Sequence, residues 1–426
     1  MRTLEIEGGA AIRGEVTVGG NKNAALPMIA ASLLADGPVV LHNVPDILDV
    51  RTMLDIVREL GAEVEFADHT LKIFCRKIQT NEISQALCSR NRTSILFTAP
   101  LLARTGRAVL YPPGGDVIGR RRLDGHFYGL EKLGAKLRFD GCYRFSCGGG
   151  LTGCEMFLDE ASVTATEQIL IAAATASGHT TLYNAAGEPH VADLAGLLNA
   201  MGAKISGQGS NVIEIDGVES LHGVEYTLQG DHIEAGSFLA LAAACGGDLV
   251  VRGTGLRRNY WMMRRVFERL GILIDLRTDG IAIRGGQELV VRNDFGDKLP
   301  TIADGPWPQF PSDMMSCTIV AATQAAGSVL FFEKMFESRI YFVDRLISMG
   351  AQAVVCDPHR VLISGRSKLH AVEMSSPDIR AGMAMVIAAL SARGTSRIHQ
   401  AEVIYRGYEN LVGKLTAIGA HVRELA

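Results

Sequence analysis

One short pattern recurs six times along the 426 residues and limits what this chain can fold into. An apolar residue, a glycine and Ala or Ile close a helix-like segment at Gly61, Gly134, Gly202, Gly271, Gly350 and Gly419. The intervals are 73, 68, 69, 79 and 69 residues, and 23 to 28 residues before each lies another glycine: Gly37, Gly106, Gly178, Gly247, Gly327 and Gly394. Each of these ends an alanine-rich run and precedes a strand-like stretch such as PVVLHNV or DLVVRG. One unit therefore predicts a helix, a glycine C-cap, a strand, a loop, a second helix, another glycine C-cap and more strand. The first helix, as in AALPMIAASLLA or TEQILIAAATA, is apolar nearly all round and belongs inside. The second, as in VRTMLDIVREL, has a single apolar stripe and belongs outside. Six such units predict an α/β fold of two inside-out α/β domains, each of three repeated units with buried helices surrounded by sheets.

Residues 1–20 contain strand-like LEIEG and GEVTVGG ahead of the first buried helix, and residues 223–230 play the same part before the fourth. The crossings between domains are placed near residues 20 and 229. That gives a first domain over 20–229 and a second made of 1–19 with 230–426. Hydrophobic residues are 47% and charged ones 21%, a globular balance. A net charge of −4 argues against nucleic acid as partner. The eight cysteines show no CxxC spacing and no companion histidines, so no metal site is expected and a reducing compartment is. Glu5 and Glu7 interrupt the place of a signal peptide, and no apolar run reaches membrane-spanning length. A soluble cytoplasmic protein without a membrane or an obligate protein partner is the expectation.

The residues entering each buried helix are polar: Lys22-Asn23, Arg92-Thr93, Ser162-Val163-Thr164, Asp231-His232, Ser312-Asp313 and Asp378 with Arg380. Ser162, Ser312 and Asp378 suit simple N-caps. Lys22, Arg92 and Arg380 do not, because cations oppose the dipole at a helix start, so a bound anion is the better explanation. A second polar row lies before the outer helices. It includes PPGGDVIGRRRLDGH (residues 112–126), Phe336-Glu337-Ser338-Arg339 and Tyr405-Arg406-Gly407-Tyr408. Arginine in three of six equivalent loops suggests phosphate or carboxylate clamps.

Taken in order, GGNKNAALP, PPGGDVIGRRRLDGH, EASVTATEQIL, FPSDMM, FESR, SPDIRAG and YRGYENL resemble the UDP-N-acetylglucosamine enolpyruvyl transferases through essentially the whole chain. The resemblance implies two inside-out domains closing over a cleft. The implied substrates are phosphoenolpyruvate and UDP-N-acetylglucosamine, with no metal or organic cofactor. By the same resemblance Lys22, Arg121 and Arg406 hold the phosphate and carboxylate of phosphoenolpyruvate, Asn23 meets the sugar, and Arg92 meets an anionic group. Arg121, Arg122, Leu123, Asp124 and Gly125 wrap the uracil, and Ser162, Val163 and Thr164 meet the diphosphate. Asp313 is the general base, Met335 and Glu337 lie by sugar and ribose, and Asp378 and Arg380 form a further substrate-facing pair. Asp116 stands where most of the family has cysteine, as the acid that protonates the methylene carbon.

Several positions depart from the family pattern. Glu160 stands where a lysine often neutralises the diphosphate, His232 where arginine is usual, Ser338 for an asparagine, and Arg122 for the proline of the common uridine loop. An enolpyruvyl transferase with another nucleotide or sugar acceptor is the alternative reading. Lys22, Asp313 and Arg406 are all present, which argues against a silent binding paralogue.

Overall fold

The structure, a computed structural model, describes residues 2–115, 119 and 121–425. Asp116 and Arg120 lie outside the described residues. The chain divides into two compact units, residues 20–115 with 121–229 and residues 2–19 with 119 and 230–425. Each has its own apolar core.

In the 20–229 unit the inner helical segments are Lys22–Ala31, Arg92–Phe97 running into Thr98–Thr105, and Val163–Ala173. In the 230–425 unit they are His232–Cys245, Ser312–Thr323 and Ile379–Ser391. These segments are apolar on every face because sheets and other helices surround them: every residue from His232 to Ala244 is buried. Alanine lets the helices approach closely, and at Gly236 even one methyl group is excluded. A Cβ there would stand 2.5 Å from the methyl carbons of Met263 and Met314. The outer helix Leu48–Glu59 instead buries one stripe, Val50, Met53, Leu54, Ile56 and Val57, and gives its other face to solvent.

All six repeat glycines that close the outer helices have left-handed φ, from 75° at Gly271 to 106° at Gly202, which favours glycine. The inner helices end less uniformly than the repeat suggests. The first ends in a short 3₁₀ turn, Ser32–Leu34, with Gly37 beyond it, and in the fourth the left-handed cap is Gly246, not Gly247. Gly247 follows as the next residue of a Schellman closure, its N–H donating to the Ala242 carbonyl at 2.7 Å.

Among the described residues the strands form six sheets, five of four strands and one of three. Val39–His42 runs parallel to Val224–Thr227 and antiparallel to Thr70–Phe74, which continues to Glu63–Ala67. Asp248–Arg252 is arranged likewise with Arg13–Thr17, Ile281–Ile283 and Ile274–Leu276. Strand 13–17 therefore serves the fourth repeat and strand 224–227 the first, each pairing away from the helix that follows it in sequence. In the sixth repeat Thr3–Glu7 fits between Thr395–His399 and His421–Leu425, taking the place a local hairpin strand fills elsewhere. Among the described residues no helix is long and apolar enough to cross a membrane.

Candidate active site

The 20–229 unit gathers cations at the starts of its inner helices. Asn21 caps Lys22–Ala31, its side-chain oxygen accepting from the N–H groups of Asn23 at 2.8 Å and Ala24 at 3.2 Å. That leaves Lys22 in the first turn, where its charge opposes the dipole. Its compensation comes from within the chain: Nζ lies 2.9 Å from Asp49 Oδ2, both side chains at most 10% exposed. Asp49 belongs to the first turn of Leu48–Glu59, a favourable place for a carboxylate. A bound anion is therefore not needed to explain Lys22.

Arg92 enters the second inner segment beside the cap Asn91 and donates from Nη2 to the Arg122 carbonyl at 2.7 Å. Burial, with the Arg121 cation beside it, lowers the Arg92 guanidinium to about 10 against the pull of Glu160. Arg122 and Asp124 are exposed, while Arg121, Leu123 and Gly125 are half-buried.

His126 joins this loop to the third inner helix. Gln168 donates its amide to the Ile95 carbonyl at 3.0 Å, which turns its oxygen to His126 Nδ1 at 2.5 Å. The imidazole therefore donates from Nδ1, and Nε2 accepts the Thr164 hydroxyl at 3.0 Å. Burial foremost, then Arg92 and Arg121, lowers His126 to about 4, so the ring is neutral. Ser162 caps the same helix through the Ala165 N–H, and Ser162, Val163 and Thr164 remain half-buried at its start. Uracil-loop and helix-start candidates are thus physically tied through one neutral histidine.

The 230–425 unit builds a tighter arrangement around Asp313. One carboxylate oxygen meets Arg339 Nη2 at 3.0 Å; the other meets Arg380 at 3.0 and 3.1 Å. Both guanidinium groups are buried, whereas the Asp313 side chain is 27% exposed. Arg380 also donates to the Tyr408 hydroxyl at 3.2 Å and lies over its ring, and that hydroxyl bonds Ser237. Arg380 and Asp313 are each the second residue of their helices, so these helix starts come together. Asp378 caps the Ile379–Ser391 helix through the N–H groups of Arg380 and Ala381. His232 packs edge-on to Trp307, and burial holds its ring below the usual imidazole range. Met335 and Glu337 stand on the turn leading to Arg339, and Arg406 ends the segment Ala401–Arg406, half-buried.

One expected cap is not a cap: Ser312 makes no such bond and gives its hydroxyl to Glu333. Arg339, expected as a clamp for a bound anion, clamps this chain's own Asp313. Sequence reasoning missed Asp49 and Glu333, and named Tyr408 only as part of the loop from Tyr405 to Tyr408. Only Tyr408 carried a signal, since YRGY and FESR occupy equivalent repeat positions.

The model of the EPSP synthase (3-phosphoshikimate 1-carboxyvinyltransferase) family matches residues 6–415. The UDP-N-acetylglucosamine 1-carboxyvinyltransferase of Treponema pallidum (strain Nichols) is 51% identical, covering 99% of both chains. That of Borreliella burgdorferi is 49% identical over 100% of this chain and 99% of its own. Among solved structures, the enolpyruvyl transferase NikO from Streptomyces tendae superposes with TM-score 0.88 at 24% identity, covering 99% of this chain and 98% of that one. An EPSP synthase from Acinetobacter baumannii gives 0.78 at 20% identity over 100% of each chain. Likeness in sequence along its whole length and likeness in fold agree: this chain belongs to the enolpyruvyl transferases, in the family of the UDP-N-acetylglucosamine 1-carboxyvinyltransferases.

Proposed function

We propose that this chain transfers the enolpyruvyl group of phosphoenolpyruvate to the 3′-hydroxyl of UDP-N-acetylglucosamine and releases phosphate, the first committed step of peptidoglycan synthesis. The observation that carries the mechanism is Asp313, a carboxylate clamped on both oxygens by buried arginines yet partly open. A group so oriented suits a general base, because geometry governs whether it can take a hydroxyl proton. As Asp313 removes that proton, the hydroxyl oxygen bonds to C2 of phosphoenolpyruvate, and Asp116 gives a proton to C3. The resulting phospho-ketal then loses the C3 proton, the double bond re-forms, and phosphate departs with the electrons of its bond to C2.

Lys22, Arg121 and Arg406 hold the phosphate and carboxylate of phosphoenolpyruvate, with Arg92 on a further anionic group. Asn23 meets the sugar, residues 121 to 125 take the uracil, and the helix start at Ser162, Val163 and Thr164 takes the diphosphate. Met335 and Glu337 lie by the sugar and ribose, and Asp378 and Arg380 complete the set. The work is done in the cytoplasm and serves cell shape and division. With Asp116 in place of the usual cysteine, the protein withstands fosfomycin.

Phosphate release measured with phosphoenolpyruvate and an acceptor panel tests this reading. UDP-N-acetylglucosamine should turn over best and without added metal. Turnover on the order of tenfold better with UMP or shikimate 3-phosphate, a difference of about 1.4 kcal/mol in transition-state binding, would overturn the acceptor.

A further inference from the structure

Two carboxyl groups lie behind Asp313 in the 230–425 unit. Asp304 follows the strand Thr301–Ala303 and Glu333 follows Gly327–Phe332, which run side by side and parallel. Both side chains are fully buried. Glu333 accepts the Ser312 hydroxyl at 3.0 and 2.8 Å on its two oxygens and the N–H groups of Met335 and Phe336 at 3.0 Å each. Asp304 Oδ1 accepts the N–H of Lys334 at 2.5 Å. Between them they hold three successive N–H groups of one turn and the hydroxyl of the residue before Asp313. Arg339 leaves this turn, stacks 5.2 Å over Phe336 and reaches Asp313.

Two ionised carboxylates close together in the interior would be costly. Asp304 Oδ2 is buried and has no hydrogen-bond partner among the described residues, unless one carboxyl is protonated toward the other. Burial first, and then Asp304, push the Glu333 carboxyl up to about 8, against the pull of Arg339 and the Ser312 hydroxyl. The remaining charged or titratable neighbours are few. His359 Nδ1 lies 2.7 Å from the Glu333 backbone oxygen, Asp357 accepts the His359 N–H, and the Lys334 ammonium sits over Phe332. Asp313 lies beyond Arg339.

We infer that Asp304 and Glu333 share one proton and act together as positioning residues, holding the turn from which Arg339 clamps Asp313. The inference deepens the reading of Asp313 as the base and rests on it for its kinetic consequence. The protonated pair keeps one negative charge, enough to hold the N–H groups and the hydroxyl. Loss of the shared proton puts two charges into the pocket and loosens the turn.

The test compares the unmodified protein with Asp304→Asn and Glu333→Ala, following kcat, KM and urea stability against pH. The folded pair keeps a proton that an unfolded carboxyl releases near ~4.5. Its stability contribution is therefore full below that pH and lost as pH rises through about 8. For the unmodified protein kcat should fall on an alkaline limb centred near pH about 8, where the folded pair gives up its proton, with KM for phosphoenolpyruvate little changed. Asp304→Asn supplies an amide N–H in place of the shared proton. It should abolish the alkaline limb in both readouts and keep neutral turnover within about threefold, one hydrogen bond replacing another. Glu333→Ala should lower kcat on the order of 10²-fold, as expected of a misplaced catalytic group. An unchanged alkaline limb in Asp304→Asn, or normal kcat in Glu333→Ala, overturns the inference. Should Glu333→Ala not fold, Asp304→Asn decides. Should the unmodified protein not transfer enolpyruvyl at all, the function fails, and the stability profile still decides the shared proton.

Discussion

Lys22→Ala should cost stability as well as turnover, and the two losses can be separated. Lys22 Nζ stands 2.9 Å from Asp49 Oδ2, with side chains 10% and 6% exposed. Breaking a buried pair by removing one partner costs about 3–5 kcal/mol, because the other charge stays in the interior. Asp49 keeps its place in the first turn of Leu48–Glu59, where the helix dipole returns up to about 1 kcal/mol to a carboxylate. The lower end, about 3 kcal/mol, is therefore expected for Lys22→Ala. Asp49→Ala should cost at least as much, since Lys22 is left at a helix start that disfavours it. In the double variant neither charge remains, and a coupling of about 2 kcal/mol should reappear as recovered stability. Urea denaturation by circular dichroism on all four proteins measures this, and phosphate release on the same samples measures turnover. Turnover should stay lost in the double variant, because the cation for the substrate is still missing. A Lys22→Ala midpoint equal to that of the unmodified protein would refute the pairing argument. Recovered turnover in the double variant would show that Lys22 acts only by neutralising Asp49.

Two further outcomes follow from the same geometry, and a third from the aspartate at position 116. Arg339→Met removes one of the two guanidinium groups on Asp313 and should lower kcat on the order of 10²-fold with KM little changed; an equal effect on both would point to substrate binding instead. His126 is neutral in the fold and charges more easily when unfolded, so stability should rise between pH about 4 and 6.5 as the unfolded ring gives up its proton. In His126→Gln that slope should shrink, and an unchanged slope in pH-dependent denaturation would assign it elsewhere. Asp116→Cys should gain time-dependent inactivation by fosfomycin, since a thiolate attacks the epoxide far faster than a carboxylate does. Inactivation of the unmodified protein at the same rate would contradict that chemistry.

The periodic part of the fold was legible because it is local. Runs such as HIEAGSFLALAAAC carry no polar face, so burial on all sides follows from composition and helical period alone. The long-range partners were not legible. Nothing near Lys22 announces Asp49, 27 positions on in another helix, and the pairing arises only when two helix starts meet. Ser312 reads as a cap because serine before an apolar run usually is one. Its hydroxyl was claimed by Glu333, a buried carboxyl whose oxygens needed donors. The strands at 13–17 and 224–227 read alike, each ahead of a buried helix, but their partner strands, Asp248–Arg252 and Val39–His42, lie far along the chain and carry no local sign of the pairing. Arg380 announced itself by opposing a helix dipole; that its carboxylate would be Asp313 required the two helix starts to converge.

Product analysis tests the central claim most directly. Incubation with phosphoenolpyruvate and UDP-N-acetylglucosamine, followed by NMR of the sugar nucleotide, should show an enolpyruvyl ether on the 3′-oxygen formed one for one with phosphate. With Asp313→Asn the ether and the phosphate should both disappear while the protein stays folded. Phosphate released without the ether, the ether formed on a different acceptor in preference, or undiminished product from Asp313→Asn would each contradict the account.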